Sequence, residues 1–354
     1  MKNVKRRSKY AMSVQVITLG SASEDLFVLT NESQVLPGHI ATCEKLLAFE
    51  LGAKIPVGRI KNCIGGAGAS VATGLAKLDI KVSSCVALGD DEIGGKIKTS
   101  LSESGVDTEL CHIAAEHASD RSVILVEPIS RDRTIFYSRD AGEHLKLKNI
   151  SKWRTEWVFI SSLVSDWRNK LSQILKLRKE RGAKIAWNPG RAQIKAGVQF
   201  LLPLLRETTL LFLNWDEALE LALSDKTFKE KYVAQKPGKK AVLKFLHGTG
   251  VQVPIITLGK KGSLATNGYY FYKAPVLTPK RVELTGAGDA YCSGFLASWI
   301  QEPDNLRRAM GWGMANSGSV VLYFGAQKGL LGLNEIKRKA NEKILEVVIE
   351  EKRL

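Results

Sequence analysis

Short runs of β-branched and aliphatic residues alternate with helical patterns along most of the chain, and few folds tolerate that rhythm. VQVITLG (14–20) is a buried-strand run, ASVATGLAKL (69–78) has helical spacing, KVSSCVAL (81–88) returns to strand, and IGGKIKTSLSESG (93–105) is helical up to Gly105. The exchange continues through WVFIS (157–161), DWRNKLSQILKLRKERG (166–182), AKIAWN (183–188), TTLLFLN (208–214), NWDEALELAL (214–223) and VPIITLG (253–259). Strands apolar on both sides, each followed by a helix, predict an α/β domain with a mostly parallel central sheet and helices on both faces.

Two regions break the rhythm. Residues 25–62 carry DLFVLTN, LLAFELG and KIPVGRI with no strong helix between them, and residues 109–138 carry SVILVEP and RTIFYS. Both predict strands outside the main sheet, gathered into a small β-lid. Residues 286–301, 304–323 and 334–350 read as three helices. The whole reads as a single domain over 13–350, preceded by a disordered basic tail at 1–12, with Met12 as an alternative start.

Composition narrows the function class. The net charge is +16, so anionic partners are favoured in principle, but the basic clusters lack the interleaved aromatics of a single-strand groove, and nucleic acid is not the expected partner. No apolar run reaches the length of a membrane helix, and the N-terminus lacks the apolar segment of a signal peptide. Five scattered cysteines without a CxxC pair fit reduced thiols in a cytoplasmic protein. The five histidines show no metal-ligand spacing, and no GxxxxGK[ST] loop occurs.

In an open parallel sheet, ligands gather where strands end and helices begin. LTGAGDAYCSGF (284–295) is such a place: Gly286, Ala287 and Gly288 precede Asp289 and a helical face of Tyr291, Phe295, Leu296, Trp299 and Ile300. Bare amides at a helix start attract an anion. A carboxylate beside that anion is repelled unless it has work to do, and the work inferred is general base toward an alcohol attacking phosphorus. A first-turn Asp held by the helix dipole is the alternative. NCIGGAGAS (62–70) offers Gly65 and Gly66 for close approach to a polyhydroxy ligand, or for tight helix packing; Val71 replaces the third glycine of a dinucleotide fingerprint. Asp25, after the first strand, can accept from two sugar hydroxyls or form a turn. Asn214 and Glu217 share one face of a helix start, where they orient hydrated Mg²⁺ or form a capping box.

Taken in this order, the GGAGAS and TGAGD loops resemble those of the ribokinase-like (PfkB) carbohydrate kinases, and the likeness runs from about residue 14 to 333. The resemblance implies a three-layer fold with a β-lid, ATP as donor, Mg²⁺, and a homodimer formed through the lid. It places Asp289 as catalytic base, Gly286, Ala287 and Gly288 as anion hole, and Ser23, Asp25, Gly65, Gly66 and Ser70 against the acceptor. Asn188, Asn214, Thr257, Gly259, Asn316 and Gly325 fall beside the nucleotide, and Glu217 on the magnesium through water. Departures are Ser70 and Ser23, where Asn is usual, Trp187 at a usually polar position, and Glu283-Leu284 in place of Asp-Thr. The last leaves a monovalent cation (K⁺) at Glu283 open. The expected activity is phosphorylation of a sugar hydroxyl; a nucleoside kinase of the same fold and a non-catalytic ligand-binding relative are the alternatives. Arg133, Arg139 and Arg191 are candidates to meet an anionic acceptor or are surface charges.

Overall fold

The computed structural model describes residues 13–40, 43–129, 133–276, 282–344 and 347–350; the expected tail at 1–12 and Met12 lie outside them. Among the described residues, nine strands form the central sheet. From one edge inward, Val82–Cys85, Ser13–Leu19, Arg154–Ile160, Lys184–Trp187, Thr208–Asn214 and Val253–Thr257 run parallel. Ser263–Thr266, Phe271–Ala274 and Val348–Glu350 then extend it antiparallel.

Alternation along the strands divides the core. Val16, Phe159, Ala186, Phe212 and Ile255 face one layer, with helices Ala67–Lys77, Glu92–Glu103, Ala287–Gln301, Leu306–Val320 and Leu333–Ile344. Ile17, Val158, Ile160, Ile185, Leu211 and Ile256 face the other, with Trp167–Arg181, Trp215–Leu223 and Lys239–Gly248. Because successive side chains point to opposite faces, each strand must be apolar throughout, which is why they read as continuous aliphatic runs. Phe295 packs edge-on to Phe212 with centroids 5.3 Å apart, seating the helix that carries Asp289 against the sheet.

The register brings the site together. Leu19 lies opposite Ile160 and Cys85, Ile160 opposite Trp187, and Asn214 opposite Thr257, so the carboxyl ends of these strands form one edge. Over it sits the lid, a four-stranded sheet in the order Arg133–Ser138, Arg121–Val126, Ser23–Leu29, Arg59–Gly65, with a separate hairpin of Gln34–Ile40 and Cys43–Ala48.

Three expectations are corrected. KVSSCVAL is not one strand: after Cys85 the chain leaves the sheet, and Ala87–Gly89 pairs with His112–Ala114. Residues 62–65, read as the start of a glycine loop, are the end of the lid strand Arg59–Gly65. The stretch 334–350 is not helical throughout, because Val348–Glu350 is a β-branched edge strand. Among the described residues no helix is long and apolar enough to cross a membrane, and no disulfide forms.

Candidate active site

The helix Ala287–Gln301 begins at Gly286, whose φ of 78° is left-handed; a Cβ there would stand 2.4 Å from Ala326 Cα. Only glycine fits such a turn pressed against a neighbouring loop. Ala287 N–H donates to Leu284 O at 3.3 Å, whereas the N–H groups of Gly286, Gly288 and Asp289 have no acceptor among the described residues. Of the three amides expected to form an anion hole, that of Ala287 is already engaged, while those of Gly286 and Gly288, together with that of Asp289, are free among the described residues. Gly288 is exposed, and a Cβ on it would meet nothing within 4 Å, so the space beside these amides is open to a ligand.

Asp289 sits in the first turn. The residue is half-buried; loss of hydration, then the nearby charge of Asp25, pushes its pKa up to about 7. Asp25, in the lid strand Ser23–Leu29, is 5% exposed. Burial raises its pKa, while hydrogen bonds from Ser23 and Ser122 and the charge of Arg139 oppose the rise. Ser23 Oγ donates to Asp25 Oδ1 at 2.9 Å, so Ser23 orients the carboxylate. Gly65 lies opposite Ser23, and a Cβ there would stand 1.9 Å from Asp25 Oδ2: the carboxylate occupies the room that glycine leaves. Gly66 caps the helix Ala67–Lys77, and Ala67 N–H donates to Ser21 Oγ at 3.2 Å. Ser70 is buried, and its Oγ has no hydrogen-bond partner among the described residues.

The residues expected beside a nucleotide are less uniform. Asn214 and Glu217 form a reciprocal cap: Asn214 N–H donates to Glu217 Oε2 and Glu217 N–H to Asn214 Oδ1, both at 2.9 Å. Burial raises the Glu217 pKa. Asn188 Nδ2 donates to Phe212 O at 2.9 Å, bracing two strand ends. Thr257 ends its strand half-buried, and Gly259, with φ of 54°, opens the following turn in free space. Gly325 packs on the lid, where a Cβ would stand 2.5 Å from Cys63 Sγ. Asn316 faces the protein interior. It is fully buried, donating to Ala290 O and Ser293 Oγ and accepting from Leu331 N–H, so it pins two helices and a loop rather than a nucleotide.

Glu283 is fully buried. Its Oε1 accepts from Thr285 N–H and Oγ, with Arg133 Nε 3.8 Å away, while Oε2 has no hydrogen-bond partner among the described residues. Arg139 also points inward, bonding Asp120 at 3.2 Å. Arg191 is exposed at the start of a short helix. The histidine spacing conceals one cluster: His117 Nδ1 lies 2.8 Å from Asp140 Oδ1, and its ring stacks on His144 at 3.6 Å. Both Asp140 oxygens are engaged, by His117 and by Ala118 N–H. Asp120 and Lys170 line one cleft with Arg139 but carry no sequence motif, because they are brought together by partners far along the chain.

A family model described as pfkB family carbohydrate kinase matches residues 39–331. A ribokinase of Haemophilus influenzae is 24% identical over 269 residues, covering 75% of this chain and 83% of that protein. An ATP-dependent 6-phosphofructokinase of Thermoanaerobacterium thermosaccharolyticum is 23% identical, covering 82% and 89%. Among solved structures, the nucleoside kinase of Methanocaldococcus jannaschii aligns with a TM-score of 0.70 at 20% identity, over 93% of this chain and 98% of that one. Arabidopsis thaliana ribokinase complexed with ribose and ATP aligns with 0.71 at 19%, over 93% and 99%. These likenesses carry the three-layer fold and its lid. Since the family model spans most of its length, the chain belongs to the pfkB family of carbohydrate kinases.

Proposed function

We propose that the protein transfers the γ-phosphoryl group of ATP to a hydroxyl of a sugar or sugar-like acceptor, with Asp289 as general base. The observation that carries this reading is the union, at one helix start, of free amides and a carboxyl whose pKa is pushed up to about 7. Such a group is ionised often enough near neutrality to take a proton, and basic enough to hold it.

The acceptor hydroxyls bind Asp25, braced by Ser23 and Gly65, and the unpartnered Ser70 Oγ. Asp289 removes the proton of the attacking hydroxyl. Its oxygen bonds to the γ-phosphorus as the bond to the ADP oxygen breaks, and the amides of Gly286, Gly288 and Asp289 hold the charge of the passing phosphoryl group. Asn188, Asn214, Thr257, Gly259 and Gly325 border the nucleotide.

Magnesium fits a single carboxylate that shares its waters. Glu217 keeps lone pairs beyond the one given to Asn214 N–H, and would hold the ion through water. The ion supplies charge neutralisation to the phosphates. Glu283 presents a half-satisfied buried carboxylate, which fits a cation, but Arg133 already brings a positive charge to it, so K⁺ is dispensable in this reading. The lid supports a homodimer: Ile60, Val123 and Phe136 share its outward face by register and are 59%, 38% and 57% exposed, an apolar surface for a second copy to cover. The four described free cysteines suit a reducing, cytoplasmic setting.

The test is an ADP-release assay over sugars, sugar phosphates and nucleosides. Asp289-dependent turnover of a sugar-type acceptor is expected. Preference for nucleosides would replace the acceptor class, and nucleotide binding without turnover of any acceptor would favour the non-catalytic relative.

A further inference from the structure

Near Asp25 lies a small cleft lined by Gly20, Ser21, Asp120, Arg139, Ser162 and Lys170, among others. It adjoins the acceptor site. Ser122, two residues after Asp120, pairs with Asp25 across the lid, and Asp25 feels the charge of Arg139.

The charges in this cleft do not balance. Asp120 is 1% exposed, and its oxygens are taken up by Asp140 N–H at 3.1 Å, Gly142 N–H at 2.9 Å and Arg139 Nη1 at 3.2 Å. Arg139 has four further N–H donors and lies over the Tyr137 ring at 5.3 Å. Lys170 is 5% exposed, on the helix Trp167–Arg181. Its ammonium donates to Ser165 O and has no carboxylate within 4 Å among the described residues. Burial lowers its pKa, and the more distant Asp166 and Cys85 oppose that shift. A buried ammonium with one acceptor for three donors is costly unless a ligand completes it.

Resting on the kinase reading above, we propose that the acceptor carries an anionic group, a phosphate ester or a carboxylate, which Lys170 and Arg139 hold in this cleft. Lys170 supplies the unmatched charge. Arg139, fixed by Asp120, presents its remaining guanidinium donors, and Ser21 and Ser162 line the same wall with hydroxyls. A neutral sugar or a nucleoside base would leave Lys170 unpaired.

The test compares matched acceptors in ADP release by the full chain: fructose with fructose 6-phosphate, ribose with ribose 5-phosphate, glucose with gluconate, and adenosine alone. The anionic member of at least one pair is expected to exceed its neutral partner about 100-fold in kcat/KM, the worth of one or two charge-assisted hydrogen bonds. The phosphate and carboxylate arms identify which anion it is. Lys170→Met is expected to raise KM for the favoured acceptor about 10- to 100-fold, collapsing the preference, while Lys170→Arg keeps most of it. Equal use of neutral and anionic acceptors, or a Lys170→Met effect alike on both, overturns the proposal. Calorimetry of fructose 6-phosphate, ribose 5-phosphate and gluconate on Asp289→Asn separates the two readings. Binding without ADP release by the wild type sinks the kinase reading and keeps the anion site. Asp289-dependent turnover of neutral sugars alone, or no binding of any of the three anions, sinks the anion site.

Discussion

The pKa of Asp289 gives the reaction a pH dependence whose origin can be taken apart. In the free enzyme the base must be ionised to work, and its pKa is pushed up to about 7 first by burial and then by Asp25. At one unit below that value about a tenth of the molecules are competent, and at one unit above about nine tenths, so kcat/KM should rise about 10-fold between them. The sign is that of a carboxyl with a raised pKa: activity is present above the folded value and fails as pH falls through it. Asp25→Asn removes a neighbouring negative charge, so the acid limb should move to lower pH even as acceptor binding weakens. Desolvation, the larger cause, remains, so the limb should not fall to the ordinary carboxylate range. The assay is kcat/KM from coupled ADP release between about pH 5.5 and 8.5, with wild type and Asp25→Asn compared limb by limb. A flat profile would refute the assignment of the base. A limb unmoved in Asp25→Asn would refute the coupling between the carboxylates.

Three further outcomes follow from contacts. Gly65→Ala places a Cβ 1.9 Å from Asp25 Oδ2, so acceptor KM should rise at least about 10-fold while ATP affinity, by nucleotide titration, is retained. Arg133→Gln removes the positive charge beside Glu283; turnover by the wild type should change less than about 2-fold between potassium and choline salts, and the variant should become activated by potassium. Ile60→Asp with Phe136→Asp should convert a dimer to a monomer in light scattering, because two charges would enter an apolar contact; an unchanged mass would place the interface elsewhere.

The parallel strands and the Asp289 loop were legible because they depend on local chemistry. Buried strands must be aliphatic on both sides, and a helix start beside a phosphate must be stripped of side chains. What was illegible depends on distance or on degenerate signals. Val348–Glu350 is a short apolar run after a helix, and periodicity cannot divide such runs between helix and strand. The break after Cys85 is set by a partner, His112–Ala114, more than twenty residues downstream. Asn316 looks like any polar helical residue until its three hydrogen bonds show it facing inward. Asn214 and Glu217 fit both a cap and a metal shell from spacing alone; the structure shows the cap, and the metal role rests on the lone pairs that remain. Arg139 could be read only as a surface charge or an anion contact, because its meaning comes from Asp120 and Lys170.

The central claim is that a carboxyl at the start of one helix takes the acceptor's proton. Asp289→Asn tests it directly, since it keeps shape and hydrogen bonding while removing basicity. Single-turnover phosphoryl transfer should slow by about 10²- to 10⁴-fold, with ATP dissociation constants within about 2-fold of wild type. Transfer at a near-normal rate in that variant would contradict the account.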